Sequence, residues 1–152
     1  MIVFALLIGI IAGLRAVTAP AVVSWAAHSR GLPLDGTILA FLGYRFTPWI
    51  LSLLALAELV TDQLPNTPSR KVPPQFIARI LLGGLSGAAI GASSGLLTGG
   101  AIAGVIGAVI GTLGGAAGRS KLAKGFASDR PAAIIEDIIA IGGAFLIVSA
   151  LA

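Results

Sequence analysis

Residues 76–117 read FIARILLGGLSGAAIGASSGLLTGGAIAGVIGAVIGTLGGAA, and their glycine spacing decides the architecture. Gly83, Gly87, Gly91, Gly95 and Gly99 stand four apart, and after Ala103 the spacing resumes at Gly107, Gly111 and Gly115. Small residues at every fourth position fall on one stripe of a helix, and in lipid such a stripe lets two backbones approach closely. The stretch therefore reads as two membrane helices, 76–95 and 99–117, folded into an antiparallel hairpin across a short uncharged connector. Gly83, Gly87, Gly91, Gly107, Gly111 and Gly115 are its expected packing positions. The same stripes also suit a narrow pore or the contacts of a homo-oligomer. A phosphate-binding role is excluded, because no Gly-Lys-Ser/Thr follows the glycines.

The rest of the chain extends this reading. Of its 152 residues, 57% are hydrophobic and 11% charged, with a mean hydropathy of +1.02, too little polar surface for a water-exposed globule. Three further stretches, 2–27, 48–64 and 131–151, approach the roughly 20 apolar residues a bilayer crossing requires. The expectation is a single all-α transmembrane domain over residues 1–152, a polytopic bundle of about five membrane helices. Residues 31–47, too short to cross, form a re-entrant or interfacial segment. Tyr44, Trp25 and Trp49 read as interfacial anchors and His28 as a residue of the outer interface. Arg70, Lys71, Arg119, Lys121, Lys124 and Arg130 fall in loops on one side, against Arg30 and Arg45 on the other, so five crossings place the N-terminus in the cytoplasm and the C-terminus outside. No basic residue precedes the first apolar run and Arg15 interrupts it, which argues against a cleaved signal.

Charges at membrane depth are costly and mark either function or pairing. Six stand out: Arg15, Glu58, Asp62, Arg79, Glu136 and Asp137. At a rise of about 1.5 Å per residue, all but Arg15 fall in one layer near the cytoplasmic face; Arg15 falls at or past the midplane. Pro20 is placed to kink the first helix beside it. Glu58 and Asp62 share a helix face, whereas Glu136 and Asp137 point about 100° apart, so one of the latter joins them. An excess of carboxylates over arginines favours a cation or holds protons, with Arg15 and Arg79 as counter-charges. The structural alternatives are local pairing of Asp62 with Arg70 or Lys71, pairing of Glu58 with Arg79 or Arg15, and a helix-dipole role for Asp137. Glu58 and Glu136, at similar depth on oppositely directed spans, also fit a weak inverted repeat.

Gly13-Leu14-Arg15, the segment Glu58-Leu59-Val60-Thr61-Asp62-Gln63-Leu64-Pro65 and Phe76-Ile77-Ala78-Arg79 resemble the bacterial membrane proteins grouped as domain-of-unknown-function family 4126. Asn66-Thr67-Pro68 departs from the Gly-x-Asp of many relatives. The resemblance implies a multi-pass helical protein of the bacterial inner membrane and no activity. From the residues, the leading expectation is a small transporter or channel for a cation or proton-coupled solute, with Glu58, Glu136, Asp62 and Asp137 as the ion or proton site. The alternative is a structural or accessory membrane subunit. No catalytic residues are expected: there is no Cys, the single His lies away from the acids, and Ser93 and Ser94 have no base. No cofactor or nucleic-acid partner is expected, and the residues select no metal; the partners are the bilayer and further copies of the chain.

Overall fold

The structure, a computed structural model, describes residues 1–29, 31–64 and 72–151. Arg30, Arg70 and Lys71, which carry part of the charge count, lie outside the described residues, as does the segment after Leu64. So does the expected pairing of Asp62 with Arg70 or Lys71. The described residues form helices α1 (Ile2–Leu14), α2 (Thr18–Ser29), α3 (Thr47–Thr61), α4 (Pro73–Ala92), α5 (Leu97–Phe126) and α6 (Asp129–Leu151), with a 3-10 turn at Ala40–Gly43. Three of them, α4, α5 and α6, are long and apolar enough to cross a membrane; α1 and α3 are shorter apolar helices of 13 and 15 residues.

Helix α5 is the axis on which α1 and α4 pack, because its first half presents two glycine grooves. On one side α4 runs antiparallel to it. A Cβ added to Gly87 would meet the Gly100 carbonyl oxygen and the Gly104 Cα at 2.7 Å; one on Gly91 would meet the Leu96 carbonyl and the Gly100 Cα at 2.8 Å. On the other side α1 runs parallel to α5. There Gly107 and Gly111 lie against the backbone of Leu6 and Ile10, and Gly9 and Gly13 of α1 lie against Gly104 and Gly111. Such contacts gain dispersion and weak Cα–H···O interactions that any side chain would abolish. The ladder thus divides differently from the expectation of a two-helix hairpin: Gly83, Gly87 and Gly91 face α5, whereas Gly107 and Gly111 face α1. Both stripes are occupied by neighbours within one chain, so they do not present the surface on which further copies were expected to pack. Gly115 lines a crevice between α5 and α6 that Leu14 of α1 also borders.

The first expected span is corrected most. Residues 2–27 are not one helix: Arg15 is extended at φ −138°, ψ 106°, and the chain reverses through Arg15, Ala16 and Val17. Pro20 kinks nothing. It sits in the first turn of α2, where its missing N–H costs no helical hydrogen bond. Helix α2 then runs antiparallel to α3, with Trp25 against Trp49 and donating to Ser52 Oγ at 2.9 Å, and Ala16 against Glu58. The hairpin returns the chain to its starting end: Met1, Ala26, Gly31, Ser93 and Leu151 line one cavity of about 270 Å³. The first residue and the end of α6 therefore lie at the same end of the bundle, which corrects the expectation of termini on opposite sides. Residues 31–46 close that end. Leu34, Leu39 and Leu42 are buried, Ser24 Oγ donates to the Leu42 carbonyl, and Ile38, Tyr44 and Phe46 are exposed.

Candidate functional site

A helix that stops at membrane depth leaves carbonyls at its end, and a helix that starts there leaves N–H groups; without water each must find a partner. The α1–α2 hairpin creates both within three residues, and charged side chains from other helices satisfy them. Arg79 of α4 donates through Nη1 to the carbonyls of Gly13 and Leu14 at 2.8 and 2.9 Å, and Thr112 of α5 adds a 3.4 Å hydrogen bond to Gly13. Glu58 of α3 accepts from the N–H of Ala16 at 2.8 Å and of Val17 at 3.0 Å, one on each carboxylate oxygen. Cation at a helix C-terminus and anion at a helix N-terminus is the arrangement the helix dipoles favour. The direct approach of the two caps is longer, 4.0 Å from Arg79 Nη2 to Glu58 Oε1. The pairing expected between these residues thus runs mainly through the hairpin backbone.

At the tip itself, Arg15 is the largest side chain that is fully buried, at 1% exposure. Its Nη1 donates to Asp62 Oδ2 at 2.5 Å, and its Nε donates to Asp137 Oδ1 at 2.8 Å, a contact that Nη2 shares. A guanidinium is suited to this position, since its fixed fork reaches two carboxylates from different helices at once. Asp62 and Asp137 are not sealed: each side chain keeps 16% exposure, and Gln63 Nε2 reaches Asp137 Oδ2 at 3.4 Å. Arg15 thus lies in the same layer as the other charges, not in a separate one. The hairpin folds it back, which a depth estimate along one continuous helix could not anticipate.

Glu136 points away from this group, in keeping with its offset from Asp137. It faces Arg119 of α5, 3.7 Å from Nη1, while Arg119 also grips Asp129 through Nε and Nη2 at 3.0 and 2.7 Å. From the sequence Arg119 reads only as a loop charge, because the expected fourth span ends at residue 117. Its spacing of four from Gly115 was the available signal that it shares the face turned to α6. Among the described residues the layer joins Glu58, Asp62, Glu136 and Asp137 to Arg15, Arg79 and Arg119, and Asp129 reaches Arg119 from beyond it, at the start of α6. Among the described residues no group of three or more acids or histidines is arranged to hold a metal ion. His28 lies at the opposite end, its Nδ1 3.0 Å from the Gly43 carbonyl, close to Trp25.

Compared with known proteins, the chain matches no family model, no curated protein and no solved structure.

Proposed function

We propose that this protein is a small membrane transporter or channel that moves protons, alone or coupled to a small solute, with Asp62 and Asp137 as the proton-carrying groups and Arg15 as their counter-charge. The observation that carries the reading is a buried guanidinium held between two partly exposed carboxylates at the reversal of a membrane hairpin. Arg15 occupies the place a metal cation would take, so the exchangeable species is the proton. A proton added to Asp62 or Asp137 cancels the charge that holds Arg15 on that side, and its departure to the other side restores the grip. Discontinuous helices that place charged groups at mid-bundle are a recurring device of transporters. Glu58 and Glu136, first choices on the sequence, have other tasks in this reading: Glu58 caps α2 and Glu136 faces Arg119.

The exposed basic residues Lys121, Lys124 and Arg130 lie beyond the Arg15 end and Arg45 near the Met1 end, so the positive-inside rule puts the Arg15 end in the cytoplasm. Because α1 and α2 form a hairpin, the Met1 end then faces outside, the reverse of the orientation expected from a single first span. A bacterial inner membrane and membership of family 4126 belong to the same proposal.

The test is proton flux into liposomes holding the purified chain and a pH-sensitive dye. The parent conducts under an imposed gradient, and Asp137→Asn and Asp62→Asn each lose at least about tenfold while keeping a cooperative thermal transition. A parent without flux, or asparagine variants with parental flux, overturns the reading. One observation favours a second reading, a structural or accessory subunit: Glu58 and Arg79 are both committed to hairpin backbone. On that reading the layer only holds the hairpin shut, and the asparagine variants lose stability with no flux to lose.

A further inference from the structure

A proton that reaches Asp137 at the Arg15 end needs a way on toward the Met1 end, and one seam of the bundle is laid out for it. On α6, Asp137, Ile141, Ala144 and Val148 follow one another at intervals of four, three and four, so they share one face of the helix. Thr18, Val22, Trp25 and Ser29 repeat these intervals on α2. Toward the Met1 end the two faces meet across a cavity of about 240 Å³, lined by Val22, Trp25, Ala26, Ser29, Phe145 and Val148. Ala26 and Val148 also line the cavity of about 270 Å³ that reaches Met1 and Leu151, so the two spaces adjoin. Ser29 and Ser93 stand in their walls, and each space has room for several water molecules. Toward the Arg15 end the seam is tight, with Ala144 fully buried and Thr18 5% exposed. Asp137, at the foot of the α6 face and about 12 Å along the helix from Phe145, is partly exposed again.

We propose that the α2–α6 seam is the Met1-side half of the proton path, with the two adjoining cavities as its water-filled vestibule. The route rests on the transport reading and adds where the proton goes after Asp137. As long as the seam is shut at Ala144, the carboxylate and the vestibule are kept apart, which a transporter requires to avoid a leak. When α2 and α6 part at that level, vestibule water reaches Asp137. The carboxyl O–H then gives its proton to a water oxygen, and the carboxylate left behind resumes its bond to Arg15. The close glycine contacts of the bundle join α1, α4 and α5, so a parting of α2 from α6 leaves them in place.

The chain has no cysteine, so a single introduced thiol reports on its own position. Val22→Cys puts one in the vestibule wall, and Val23→Cys puts one at the next residue, which is fully buried in the core. Cysteine behaves as a small hydrophobe, so both variants should fold. The full chain in neutral detergent is treated with a small, positively charged methanethiosulfonate reagent, which enters water-filled space and not hydrocarbon. Val22→Cys is expected to react at least about tenfold faster than Val23→Cys. In liposomes the unmodified Val22→Cys protein should conduct protons like the parent and lose at least about tenfold once modified, while the treated parent is unaffected. Val148→Cys, on the facing wall, is a second probe held to the same outcomes. A conducting parent whose vestibule cysteines react no faster than Val23→Cys, or keep their flux after modification, overturns the route and leaves the transport reading standing. A parent that conducts no protons overturns both.

Discussion

The two halves of α5 are built from the same residue and use it for different ends. From Leu97 to Thr112 nearly every turn offers a glycine on which another backbone rests: Gly100 and Gly104 receive α4, and Gly107 and Gly111 receive α1. From Leu113 to Phe126 glycine recurs at the same density, yet a Cβ built on Gly114, Gly118 or Gly125 would meet nothing within 4 Å. A glycine pattern therefore does not by itself distinguish a helix contact from an open surface. What distinguishes them here is the neighbour: α1, which packs on the first half, stops at the Arg15 tip, and the second half projects beyond it.

The largest expected effect lies in the first half. Gly104→Leu puts a side chain where the Gly83 carbonyl and the Gly87 Cα, 3.0 Å from an added Cβ, already stand, and both belong to helix backbone that cannot yield locally. Overpacking of a well-filled core commonly costs about 1–3 kcal/mol, and here three helices would have to separate, so loss of folded protein in detergent is expected. The same substitution at Gly114 should leave the fold intact. Equal tolerance at both positions, read as the yield of monodisperse protein, would remove the distinction between the halves.

An intermediate effect tests what fixes the boundary between them. Arg79 and Glu58 cap opposite ends of the hairpin break, so Arg79→Gln and Glu58→Gln should each destabilise by about 1–3 kcal/mol through buried backbone groups left without their charged partner. Because each acts on a different helix end, the two losses should nearly add, with a coupling below about 1 kcal/mol in a double-mutant cycle. Recovery of most of the loss in the double variant would instead make their direct 4.0 Å contact the dominant interaction.

How far the sequence disclosed this arrangement follows from which interactions are local. Hydrophobic length and glycine spacing marked α4, α5 and α6, since both depend on residues within one helix. The antiparallel packing of α4 on α5 was legible for the same reason, given the short connector. The break at Arg15 was not, because what permits it lies 41 to 122 residues away: Glu58 and Arg79 supply the hydrogen bonds that α1 and α2 lack, and Asp62 and Asp137 hold the guanidinium. A single sequence shows an arginine in an apolar run but not which helix ends it will adjoin. The composition of the charged layer was largely readable from depth, yet its pairings were not. Glu136 and Asp137, adjacent in sequence, serve different arginines because a helix turns 100° between them.

The smallest effect separates the halves by sign. Gly107 and Gly114 lie seven apart, on nearly the same face of one helix, and alanine adds a single methyl to each. At Gly107 that methyl would meet the Leu6 carbonyl and the Ile10 nitrogen, the latter at 2.8 Å, both of them α1 backbone. α1 must then retreat, with a loss along the whole contact. At Gly114 the methyl enters open space. There the remaining difference is conformational: glycine has more backbone freedom to lose on folding, and in helix interiors alanine is favoured by roughly 0.5–1 kcal/mol. Gly107→Ala should thus lower the thermal midpoint in detergent, and Gly114→Ala should hold or slightly raise it. A loss at Gly114 comparable to that at Gly107 would mean that the second half of α5 meets a backbone after all, supplied from outside this chain.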